Sequence, residues 1–176
     1  MRQLRTLIVT EGYVLDLFQA DAAKPHEFAW LIHIDGQPAS GSVQATNEVA
    51  LPRTAPWSYL RNARSGLSGT RAWETFAHDA HTLRLDLLAD GPTEVVQCGF
   101  PRDDGPTPAT VPMRLIKRQG NTAWFAAAYR IDVPEEPVEM DLTAAEGERA
   151  TLTLHLGSKI YQHAVPRLRA GVDLAR

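Results

Sequence analysis

The sequence predicts an all-β protein, an antiparallel β-sandwich, on three observations. His81-Thr82-Leu83-Arg84-Leu85-Asp86-Leu87 alternates with a period of two, setting Leu83, Leu85 and Leu87 on one face and Thr82, Arg84 and Asp86 on the other. Thr151-Leu152-Thr153-Leu154-His155-Leu156 repeats the pattern. The remaining apolar runs are short, bounded by Gly, Pro, Asn or Asp, and carry no helical period, which is the spacing of a sandwich rather than of a helical domain.

Taken in order, Leu4 to Thr10 is a β-branched run, Glu11-Gly12 a turn signal, and Tyr13 to Phe18 the returning strand of a first hairpin. Glu27 to Ile34 has the same character and closes at Asp35-Gly36, so Ser42 to Ala45 is expected to return from it as a second hairpin. Further strands are expected over 71–78, 81–88, 94–99, 111–118, 122–131, 138–142, 149–156 and 159–165. The stretches 47–70 and 101–112 are rich in Pro and Gly and are expected as loops, the first bearing Trp57 and Tyr59. Long loops in a compact domain are commonly functional.

The 176 residues suit one domain, and 44% hydrophobic with 22% charged residues places the chain among folded proteins, far from the composition of disorder. Eighteen basic against 21 acidic residues give a net charge of −3, which offers no electrostatic case for a nucleic-acid partner. Cys98 stands alone, so no internal disulfide forms, and its thiol is expected as a small buried hydrophobe. Leu7-Ile8-Val9 is too short for a signal core, and no apolar run approaches a membrane span.

No residue pattern supplies a nucleophile elbow, a phosphate-binding loop or a metal cluster. His78 and His81 stand three apart, an offset that sends strand side chains to opposite faces. Asp103-Asp104 and Glu135-Glu136 read as solvated turns. His33 interrupts the apolar run Leu31-Ile32-His33-Ile34 and is the histidine most suggestive of a ligand. Trp30, Trp57 and Trp73 are expected in the core more than on a sugar platform. Arginine outnumbers lysine 15 to 3, which suits carboxylate or sulfate recognition through the guanidinium fork. The loop bearing Trp57, Tyr59, Arg61 and Arg64 is therefore the candidate substrate-binding surface.

Arg5-Thr6-Leu7, Tyr13 to Phe18, His26, and Trp30-Leu31-Ile32-His33 with Gly36 resemble, in that order, the C-terminal β-sandwich of heparinase II/III-like polysaccharide lyases. Trp73, Gly99-Phe100-Pro101, Lys117-Arg118, Thr122 and Trp124-Phe125 extend the similarity, so the family-like segment runs over about residues 4–131, with 132–176 outside it. The resemblance implies β-elimination of uronic-acid-containing polysaccharide by a parent enzyme in a periplasmic or secreted bacterial setting. It also implies that the Tyr and His of proton transfer belong to an α/α toroid that this chain lacks. No catalytic residue is assigned here, and the chain alone is expected to be inactive. In that family His33 corresponds to the last of three zinc ligands, so a zinc through His33 is expected only if upstream ligands are supplied. The expected partners are an acidic polysaccharide and a catalytic toroid. A free-standing carbohydrate-binding module and a structural interaction domain are the alternatives.

Overall fold

A computed structural model describes residues 1–55, 57–101, 110–133, 138–144 and 149–168. The fold is all-β and antiparallel, as the alternation predicts. Strand β1 (Arg2–Val9) turns at Glu11-Gly12 into β2 (Val14–His33), and the hairpin is in register from Val9 opposite Val14 to Arg2 opposite Asp21. Strands β3 (Gln37–Gly41) and β4 (Asn47–Glu48) follow, then a 3-10 turn (Trp57–Tyr59), β5 (Arg61–Ser68), β6 (Arg71–His78), β7 (His81–Ala89) and β8 (Thr93–Pro101). Next come β9 (Thr110–Ile131) and a meander of β10 (Val138–Ala144), β11 (Arg149–Leu156) and β12 (Lys159–Pro166).

The backbone of the fold is the pairing of two long strands, β2 with 20 residues and β9 with 22. Along the far edge of β9, β7 pairs with its C-terminal half and β8 with its N-terminal half. Strands β6 and β5 extend these two halves in the same way. Every long line is interrupted at about mid-length. The register of β2 shifts between Asp21 and His26, β9 passes through Gly120, and Asp90-Gly91-Pro92 and Gly69-Thr70 separate the other pairs.

These interruptions fold one sheet into two facing leaves. Trp30 is opposite Ile116, and Phe125 lies nine residues farther along β9 (125 − 116), about 30 Å away were the strand straight. Yet the Trp30 and Phe125 rings stack with centroids 5.9 Å apart, and Trp30 also stacks on Phe18 at 6.4 Å. The first leaf is β1, the N-terminal half of β2, the C-terminal half of β9, β7, β6 and β3. The second is the remaining halves of β2 and β9 with β8, β5 and β4. Phe28, Trp30, Ile32, Phe76, Leu85 and Phe125 fill the space between them. Asp90 and Arg118 form an ion pair at the fold line.

The meander covers the outer face of the first leaf. Met140, Leu152, Leu154 and Val165 pack on Leu15, Leu17, Leu88 and Ala126. The molecule is thus a β-sandwich with a third layer. That layer explains why β7 is buried on both sides. Leu85 and Leu87 face the interleaf core, while Arg84 and Asp86 turn toward the meander at 5% and 3% exposure, joined by bidentate bonds.

Several expectations need correction. The second hairpin does not form: after Asp35-Gly36 the chain crosses to pair β3 with β6, and Gly36 adopts φ +140° to make that crossing. Segments 13–18 and 27–34 are parts of one bent strand, as are 111–118 and 122–131. The stretch 47–70 is not all loop, because β5 occupies 61–68. His78 and His81 are direct cross-strand partners, since the Asp79-Ala80 turn between them brings the offset back to one register position. Residues 102–109, with Asp103-Asp104, and 134–137, with Glu135-Glu136, lie outside the described residues.

Candidate functional site

The outer face of the second leaf carries the candidate site. Alternation places Ala29, Leu31 and His33 of β2, Met113 and Leu115 of β9, and Val96, Cys98 and Phe100 of β8 on this face. Its apolar middle is roofed by the segment before β5, where Leu51, Trp57 and Leu60 pack over Cys98, Met113 and Leu31. Burial pushes the Cys98 thiol up to about 11, so it rests as the protonated, unreactive form.

Beyond that roof, three rings stand in a row. His33 ends β2 and stacks on Phe100 at the end of β8, with centroids 6.0 Å apart and planes within 24°. Phe100 meets Tyr59 of the 3-10 turn at 6.3 Å. His33 is exposed, Tyr59 is 52% exposed and Phe100 36%. Aromatic side chains drawn from three separate segments and left partly exposed are the kind of surface that meets a ligand.

The turn that presents Tyr59 is braced by its neighbours. Ser58 N donates to Thr54 O and Leu60 N to Trp57 O. The Arg61 Nη1 donates to the carbonyls of Ser58 and Leu60 at 2.5 and 3.1 Å. Arg61 thus holds the turn with one nitrogen and keeps the remainder of its fork at the surface. Among the described residues the arginines in ion pairs with carboxylates are Arg2, Arg5, Arg71, Arg84, Arg114, Arg118 and Arg130, and Arg53, Arg61 and Arg64 are not of that set.

The sequence-derived residues divide as follows. His33 and Tyr59 come together at one surface, on either side of Phe100. Arg61 bonds the turn that carries Tyr59, but its register partner is Gly99, on the face of β8 opposite to that of Phe100. Trp57 is half-buried beneath it, a wall and an anchor more than an open platform. Arg64 does not join them: it stands opposite Gln97, whose amide reaches Glu74 between the leaves, so Arg64 lies on the other face of the sheet. The register shift between Arg61 and Arg64 marks a bulge, with Asn62 at φ 54°. Trp30 is core, at 5% exposure, and Trp73 lies beneath the Arg84 guanidinium at 4.7 Å.

Sequence reasoning overlooked Phe100 as a site residue. Its signal was present, since Cys98 and Phe100 share a face by alternation and Pro101 marks the strand end. It also passed over a Tyr–His contact across the layers, in which the Tyr13 hydroxyl lies 2.8 Å from His163 Nε2. Tyr13 is 5% exposed and its ring packs edge-on against Tyr161. Desolvation raises its phenol above the ordinary value, which disfavours the phenolate a base would need. The pair pins the meander to β2.

Among the described residues no group of three or more His, Cys, Asp or Glu is placed to hold a metal ion. The His33 ring, the ligand position that the resemblance implies, stacks on Phe100. No described helix is long and apolar enough to cross a membrane. No protein-family model and no curated protein matches the chain.

Proposed function

We propose that this chain is a non-catalytic β-sandwich module that binds an acidic polysaccharide along the row His33, Phe100 and Tyr59. The observation that carries the reading is the row itself: three exposed rings from three separate segments, with Arg61, which pairs with no described carboxylate, bonded to the turn that carries Tyr59. Sugar rings present apolar C–H faces that stack on aromatic side chains, while a uronate carboxylate accepts charge-assisted bonds from a guanidinium. A rigid turn lowers the ordering cost of binding. Within a heparinase II/III-like lyase, the family that the sequence resembles, such a surface would form one wall of the substrate cleft beside a catalytic toroid.

Affinity electrophoresis through gels containing polygalacturonate, alginate or heparan sulfate, with amylose as neutral control, tests the reading. Retardation by at least one acidic polymer and not by amylose is expected. Free migration in every acidic gel contradicts it. The same protein, incubated with those polymers, is expected to release no unsaturated uronate. Release of such a product would place proton-transfer chemistry within this chain.

A further inference from the structure

Beside the aromatic row, on the far side of the 3-10 turn, a cavity of about 270 Å³ opens at the surface. Trp57, Leu51 and Leu60 supply its apolar wall, and Arg53, Ser58 and Asn62 its polar groups. We infer that this cavity is a second subsite, which captures the terminal hexuronate of a glycan chain and makes the module a reader of chain ends.

Four observations lead there. The volume lies just under the range of about 300–1,000 Å³ typical of sites for drug-sized ligands, so it suits one sugar ring and not several. The Trp57 side is fixed, because the same residue packs into the cluster of Leu60, Cys98 and Met113. Arg53 is exposed and without a carboxylate partner among the described residues, which selects an anionic group. Asn62 stands at φ 54° in the bulge, a left-handed conformation that places it on the rim of the cavity. One apolar wall, one unneutralised cation and two neutral hydrogen-bonding groups match a hexuronate, which has a C–H face, one carboxylate and several hydroxyls. Trp57 of the cavity wall and Tyr59 of the row lie two residues apart on one 3-10 turn, and in this inference a chain whose last ring enters the cavity runs on toward Tyr59.

The inference rests on the glycan-binding reading, and its test separates the two. Calorimetric titration of the full chain would use D-glucuronate, D-glucose and polygalacturonate as probes. D-glucuronate is expected to bind and D-glucose not. Arg53→Ala is expected to weaken D-glucuronate about tenfold, the loss of one charge-assisted contact. Asn62→Gly keeps the left-handed backbone and deletes only the amide, and a loss of about fivefold is expected. Tyr59→Ala is expected to weaken the polymer while leaving D-glucuronate unchanged. If polygalacturonate binds and D-glucuronate does not, or if Arg53→Ala leaves D-glucuronate unchanged, the end-reading subsite is overturned and the row stands. If D-glucuronate binds with the expected Arg53 dependence but Tyr59→Ala leaves the polymer unchanged, the subsite stands and the row falls.

Discussion

Glu74 and Arg114 face each other between the leaves at 2% exposure each, with Arg114 Nε donating to Glu74 Oε2 at 2.6 Å and Gln97 donating to Glu74 Oε1 at 3.0 Å. Removing one member of such a pair leaves a buried charge and costs about 3–5 kcal/mol, a large part of the stability of an ordinary domain. Glu74→Gln is therefore expected to lower the urea midpoint sharply, and Glu74→Leu with Arg114→Met to recover much of the loss. If the double variant is no more stable than Glu74→Gln, the charge-burial account is wrong. Cys98 gives a second residue-scale prediction. With its thiol at about 11, the folded protein is expected to react negligibly with a disulfide reagent at pH 8 and fully after unfolding. Neither buried pair was legible in the sequence. Alternation sets Arg84 and Asp86 on the face of β7 opposite the leucines, but it reports which residues share a face and not what covers it.

At the scale of elements, most strands could be read from their alternation and their Gly, Pro and Asp boundaries, and β6, β7, β11 and β12 lie within a residue of where that pattern puts them. The fold lines could not. A bent strand and two separate strands have the same local pattern, and what joins 13–18 to 27–34 is pairing to β9 on both sides of a register shift. The pairing of β3 with β6 is equally non-local. The candidate site was half legible: its loop aromatics stood out, whereas the approach of His33 to Phe100 depends on register across β9. Gly66 shows how closely the segments meet, since a Cβ there would stand 2.6 Å from the Gln44 carbonyl. Gly66→Ala is expected to displace the strand segment at Val43 and Gln44 and to cost on the order of 1–3 kcal/mol. Unchanged thermal stability would show that this approach is loose. At the β6–β7 hairpin, His81 Nδ1 lies 2.8 Å from Asp132 Oδ2 and Thr82 N donates to Asp132 Oδ1, which together hold that carboxyl below its ordinary 3.8. A carboxyl depressed on folding stabilises above about 3.8 and loses that contribution as pH falls through its folded value. In His81→Ala the Asp132 titration, followed by NMR, is expected to move up toward 3.8. An unmoved titration would assign the depression to Thr82 N alone.

At the scale of the whole molecule, one folded sheet supplies two leaves, and a meander supplies a third layer. The interleaf core holds the fold closed, so Trp30→Ala is expected to cost about 3–5 kcal/mol. Far-UV circular dichroism and tryptophan fluorescence are expected to report one coincident transition in the parent protein. Two separated transitions would mean that the meander unfolds apart from the sandwich. Among the described residues, the outer face of the second leaf beyond Trp57 carries the exposed row of His33, Phe100 and Tyr59. The most direct measurement is a calorimetric titration of polygalacturonate into the parent protein and into Phe100→Ala, whose ring is the middle of the row. A loss of tenfold or more, about 1.4 kcal/mol, with an unchanged melting temperature is the predicted result. Equal affinity in the two proteins would contradict the assignment of this face to a glycan.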